Sequence, residues 1–101
     1  MPRTPEELKR IIKDYISGNS LTIEACGGGA LEYVGVYSRK NPVFLMTYSP
    51  KTGELFGKLE MNEASTIPSF RELTLALEEL VGHIALGREL HQTPLYQIFD
   101  M

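Results

Sequence analysis

Three consecutive glycines, Gly27 to Gly29, follow a strand-like run that ends at the only cysteine, Cys26. A phosphate-binding loop needs such glycines to lead from a strand into the N-terminus of a helix. Here they lead into Ala30-Leu31-Glu32-Tyr33, which is again a strand-like segment. The glycine run is therefore predicted to be a flexible connection between two strands and not a phosphate loop.

Candidate nucleophilic and metal-binding groups are few. A reactive thiol needs a base or a positive neighbour, and the charged residue nearest to Cys26 is Glu24, which has the wrong sign. Glu79 and His83 lie four residues apart on a predicted helix, where a surface ion pair is favoured over a two-ligand metal site. His91 lies too far along the helix axis to join His83 on one metal. We predict no catalytic residues, no metal site, no cofactor and no enzymatic activity.

Composition limits the class of protein. The 101 residues are enough for one domain, 1–101, and 43% of them are apolar, which is ordinary for a soluble globular protein. The net charge of -3 and the scattered basic residues disfavour nucleic acid and anionic membranes as partners. No run approaches the ~20 apolar residues of a membrane span. The chain is charged from Arg3 onward, so we expect no signal peptide and a cytoplasmic location.

The elements that would position these residues are separated by clear breaks in the pattern. Thr4, Pro5 and Glu7 form a capping box with proline at the first helical position, and they predict a helix over 5–17 that ends at Gly18 as a left-handed C-cap. Ser69 and Glu72 predict a second capping box, which starts a long helix that extends up to Leu90. Residues 92–101 are expected to form a flexible or docking tail.

Four strand-like runs lie between the two helices. They cover Leu21–Cys26, Leu31–Ser38, Val43–Ser49 and Leu55–Met61, and short turns join the last three. Neighbouring runs should therefore pair as an antiparallel meander. The predicted fold is an α+β domain, a four-stranded antiparallel β-meander flanked by an N-terminal helix and a long C-terminal helix, in the order α-β-β-β-β-α.

Both faces of the predicted sheet are apolar. Placing Ser38 opposite Val43 and Ser49 opposite Glu54 assigns alternate side chains to opposite faces. The face predicted to pack against the helices carries Leu31, Tyr33, Gly35, Tyr37, Phe44, Met46, Tyr48, Leu55, Gly57 and Leu59. The other face carries an apolar cluster made of Val34, Val36, Val43, Leu45 and Phe56. Either one helix covers each face, or both helices share one face and a partner covers the other, or the register is slipped.

The leading functional hypothesis is a non-enzymatic interaction module, either a homodimer or a regulator, adaptor or assembly factor that docks to a larger protein. An uncovered apolar face is unusual on a monomer, so it indicates a partner. The predicted contact residues are Val34, Val36, Val43, Leu45, Phe56, Leu86 and Leu90.

Two other functions stay open at this point. A small-ligand binder or small enzyme would use a pocket between helix and sheet, near Gly35, Tyr37, Gly57 and His83. A single-stranded nucleic-acid binder would stack bases on the sheet tyrosines, although the apolar residues around those tyrosines are more typical of a core.

Overall fold

The computed structural model describes residues 3–27, 31–49, 52 and 54–86, and it confirms the predicted α+β architecture. Four antiparallel strands form one sheet in the order β1-β2-β3-β4, so β1 and β4 are its edges. The elements are α1 (Pro5–Gly18), β1 (Thr22–Gly27), β2 (Glu32–Ser38), β3 (Asn41–Tyr48), β4 (Leu55–Glu60), a 3-10 helix (Asn62–Thr66) and α2 (Phe70–Leu86).

Helix α1 begins as the capping box predicts. The Glu7 backbone N–H donates to the Thr4 hydroxyl at 3.1 Å, and that hydroxyl donates to the Glu7 carboxylate at 3.2 Å. The predicted C-cap is wrong by one residue, because the C-cap is Asn19. Gly18 is still helical, and the left-handed conformation is taken by Ser20, with φ 54°.

The start of α2 differs from the predicted capping box. Ser69 has φ 55°, and the Glu72 N–H donates to the Ser69 main-chain carbonyl at 2.9 Å and not to its hydroxyl. A 3-10 helix that the sequence analysis did not predict leads into this segment and anchors itself through the buried Ala64. Residues 87–101, which include Leu90 and the predicted tail 92–101, lie outside the described residues.

The predicted pairing of β2 with β3 is wrong by one residue. Gly35 lies opposite Leu45, and Val34 lies opposite Met46, because the turn is two residues tighter than predicted and a bulge follows it at Val36/Tyr37. A one-residue shift moves every side chain of a strand to the other face relative to its neighbour. The predicted faces are therefore mixed: Val34 shares a face with Met46.

The pairing of β3 with β4 is predicted correctly only at the turn. Tyr48 pairs with Leu55 as expected, but a bulge at Thr47/Tyr48 then places Lys58 opposite Met46 and Leu59 opposite Leu45. A bulge inserts one unpaired residue and so reverses the expected alternation beyond it.

Both helices pack on the same face of the sheet. The Phe70 ring at the start of α2 lies edge-on to Phe44 of β3 at 6.2 Å and to Tyr15 of α1 at 6.4 Å. The Tyr15 hydroxyl donates to the carbonyl of Pro68, which ties α1 to the segment before α2. One core results, with Leu8, Ile12, Ile16, Val34, Val36, Val43, Phe44, Met46, Tyr48, Leu73, Leu77 and Leu80 among its buried side chains.

Candidate functional site

The second face of the sheet is not covered by any described element. Tyr33 and Leu59 point outward from it with 47% and 59% of their surfaces exposed, while Leu45 between them is half-buried. Leu31, just before β2, is also exposed. This surface, which we call the open face, exposes large apolar side chains on a side that is normally polar, alongside the polar Thr47.

Strand β4 continues the open face to the edge of the sheet. All six of its residues are exposed, and Phe56 at 58% is one of the most exposed apolar side chains described. A side chain built at Gly57 would meet no atom within 4 Å, so the space beside this strand is free. An exposed, apolar edge strand offers unpaired backbone groups to another strand.

The predicted interface residues divide into three groups. Val34, Val36 and Val43 are wrongly assigned, because they are 0% exposed and lie in the core under the two helices. Leu45 and Phe56 are accessible, on the open face and on the edge strand respectively. Leu86 is the last residue of α2, and its side chain, like Leu90, lies outside the described residues.

The residues of the predicted ligand pocket are not brought together. The Tyr37 ring lies over Gly35, where an added Cβ would be 2.8 Å from the ring carbon Cε1, so a side chain of the same strand fills the space expected for a helix. Gly57 lies two strands away, beside open space. His83 belongs to the helix layer on the other side of the sheet, so the predicted pocket between helix and sheet does not form from these residues.

Glu79 and His83 both contact Arg3. The Arg3 guanidinium donates two hydrogen bonds to the Glu79 carboxylate, at 3.0 and 2.7 Å, and the Nε2 atom of His83 lies 2.6 Å from the Arg3 carbonyl oxygen. The hydrogen bond from Arg3 lowers the pKa of the Glu79 carboxyl. In the part of the chain that the structure describes, no three metal-ligating side chains are close enough to hold an ion.

A buried polar pair lies in the core, and the sequence analysis did not find it. The Tyr48 hydroxyl donates to the Glu32 carboxylate at 2.7 Å, where Glu32 is 7% exposed and Tyr48 is fully buried. Burial, reinforced by the bond to Glu32, raises the pKa of the Tyr48 phenol. The two residues are direct partners in the observed register, so a correct pairing of β2 with β3 is the signal that would have revealed them.

The cysteine lies at the end of strand β1, where the glycine run begins. Cys26 lies on β1 opposite Tyr33, Gly27 ends that strand, and the chain returns as β2 from Glu32. The glycines thus join two antiparallel strands, as predicted, and do not lead into a helix. The Cys26 side chain is outside the described part of the structure, as are residues 28–30.

Comparisons with protein-family models, with curated proteins and with solved structures gave no significant match. Neither described helix combines the length and apolar character that crossing a membrane requires. The surface of the molecule is therefore what a functional proposal has to rest on.

Proposed function

We propose that this protein is a non-enzymatic interaction module that works as a homodimer through strand β4 and the open face. The observation that carries the proposal is the edge strand itself, in which Leu55, Phe56 and Leu59 are exposed together. Soluble proteins usually protect such an edge with charges, but the lysine in the middle of β4, Lys58, is bound to Glu78 of α2. A single cysteine, with no partner for an internal disulfide, suits a reducing compartment such as the cytoplasm.

The sequence of β4 suits pairing with a second copy of itself. A two-fold axis through Gly57 would place Gly57 of each copy opposite its equivalent, with Leu59 of both copies on the open face on either side of the axis. The open space at Gly57 lets the two backbones approach at the axis. The result would be an eight-stranded sheet in which the open faces of the two copies lie on the same side.

Sedimentation equilibrium tests the proposal at micromolar concentrations. The unaltered protein should be a dimer. Leu59→Lys should raise the dimer dissociation constant at least about tenfold, because it places a charge in the apolar contact. Thr22→Lys is the matched control, since Thr22 is exposed on β1, which is the opposite edge of the sheet. A monomeric unaltered protein would overturn the homodimer and leave docking to a larger protein as the alternative to examine.

Disulfide trapping tests the axis position. In a Cys26→Ser background, Gly57→Cys places the two thiols of a dimer beside each other, within the usual Cα separation for a disulfide. Mild oxidation should then give a covalent dimer, whereas Thr22→Cys on the opposite edge strand, in the same background, should not. Equal cross-linking of both variants would contradict pairing about Gly57.

A further inference from the structure

A shallow depression of about 530 Å³ lies at the end of the sheet where β2 turns into β3. It is at the opposite edge of the sheet from β4, so it is separate from the proposed dimer contact. Every residue that lines it carries a polar group. The lining residues are Ser20, Thr22, Glu24, Tyr37, Arg39 and Lys40.

The two cations of this depression are available to a ligand. Arg39 and Lys40 are exposed, and among the described residues neither forms an ion pair or a side-chain hydrogen bond. Arg3 and Lys58, by contrast, are paired with Glu79 and Glu78. Adjacent guanidinium and ammonium groups with no internal partner can bind the oxygens of a phosphate group.

The backbone holds these cations in an unfavourable conformation. Arg39 and Lys40 form a two-residue turn between Ser38 and Asn41, with φ values of 52° and 72°. Glycine and asparagine are preferred in such turns because other side chains are strained there. Ser20 across the depression also has a positive φ, 54°. Both conformations have a local reason, because a two-residue hairpin turn requires positive φ at its two central residues and Ser20 follows the end of α1.

We propose that the depression binds a small phosphate ester that carries hydroxyl groups, such as a sugar phosphate. Arg39 and Lys40 would bind the phosphate, and the Glu24 carboxylate would accept hydrogen bonds from the ligand hydroxyls. The Tyr37 ring, fixed against Gly35, provides a rigid apolar wall between the two ends. Because the Glu24 carboxylate can accept hydrogen bonds from ligand hydroxyls, an ester that carries them gains contacts that inorganic phosphate cannot make at the same time.

Titration followed by amide NMR tests this proposal with ribose 5-phosphate, ribose and inorganic phosphate in low-salt buffer. Ribose 5-phosphate should shift the amide signals of Ser20, Tyr37 and Lys40 in a saturable way. Its affinity should be about tenfold or more above that of either ribose or phosphate alone, since each lacks half of the contacts. Absence of saturable shifts with ribose 5-phosphate, or equal affinity for inorganic phosphate, would overturn the proposal.

A matched variant separates lost charge from lost folding. Arg39→Asn with Lys40→Gly removes both cations and introduces the residues that this turn prefers, so the domain should remain folded. Its affinity for ribose 5-phosphate should fall at least about tenfold. Lys9→Gln with Lys13→Gln on α1 removes the same charge elsewhere and should leave the affinity unchanged. Unchanged affinity in the turn variant would contradict the assignment.

Discussion

The two faces of the sheet are both apolar, but they differ in what accompanies the apolar side chains. On the face under the helices, the buried Glu32 accepts a hydrogen bond from Tyr48, and Lys58 reaches Glu78 of α2. On the open face, Tyr33 and Leu59 are 47% and 59% exposed to solvent. Apolar composition alone therefore does not identify the core of this protein. The core is identified by the second layer, whose helices bury the side chains of one face and supply Glu78 as the partner of Lys58.

The largest expected change in stability is found by truncating one residue on each face and comparing the two losses. Met46→Ala removes a fully buried side chain and should lower the free energy of unfolding by about 2–5 kcal/mol. Leu59→Ala on the open face should change it by about 0.5 kcal/mol or less in protein diluted to monomer. Urea unfolding curves check both values. Equal losses would show that the open face is covered in solution.

An intermediate effect is expected at the buried polar pair. Tyr48→Phe leaves the Glu32 carboxylate in the core without its hydroxyl donor, and it should cost about 1–3 kcal/mol. Tyr37→Phe is the matched control. Tyr37 is half-buried on the open side and its hydroxyl has no hydrogen bond among the described residues, so the change should be about 0.5 kcal/mol or less.

A double variant tests whether the stability lost in Tyr48→Phe comes from the unpaired Glu32 carboxylate. Glu32→Met together with Tyr48→Phe replaces both polar partners by apolar groups, and stability should return most of the way to that of the unaltered protein. Denaturation of the single and double variants gives the coupling between the two sites. If the double variant is less stable than Tyr48→Phe, the carboxylate has a structural role beyond the pair.

The smallest expected effect is the pH dependence of stability, because the tyrosines that cause it titrate only in the alkaline range. Burial raises the pKa of Tyr48 and of Tyr15, so the folded protein keeps both phenol protons at a pH where the unfolded chain has lost them. Stability should be unaffected by these groups below about pH 10 and should fall as pH rises above it. Thermal melts from pH 9 to 11 measure this slope. Tyr48→Phe should flatten it, and a slope unchanged in that variant would exclude Tyr48 as a source.

The order of the elements could be predicted from local sequence signals. The capping box at Thr4 and Glu7 determines where α1 begins, and its bonds form as predicted. The pairing of Tyr48 with Leu55 also follows from the turn before β4. These signals depend on neighbours within a few residues, so no knowledge of the tertiary structure is needed to read them.

The candidate surface could not be predicted, because it depends on register. Arg39 and Lys40 are not the residues that a two-residue turn prefers, so the sequence suggested a longer turn and a pairing shifted by one. That shift assigned Val34 and Val36 to an exposed cluster, although the helices bury both. Leu59 was placed in the core for the same reason, since the bulge in front of it gives no sequence signal.

The contact between the two helices has a consequence for the order of folding. Each hairpin of the sheet joins neighbouring segments, whereas the bond from Tyr15 to Pro68 spans 53 residues and that from Arg3 to Glu79 spans 76. The entropy lost in closing a loop grows with its length, so the meander can assemble before the helices meet. Docking of α1 against α2 is then a late step. Weakening the Arg3 contacts would speed unfolding while leaving the folding rate nearly unchanged.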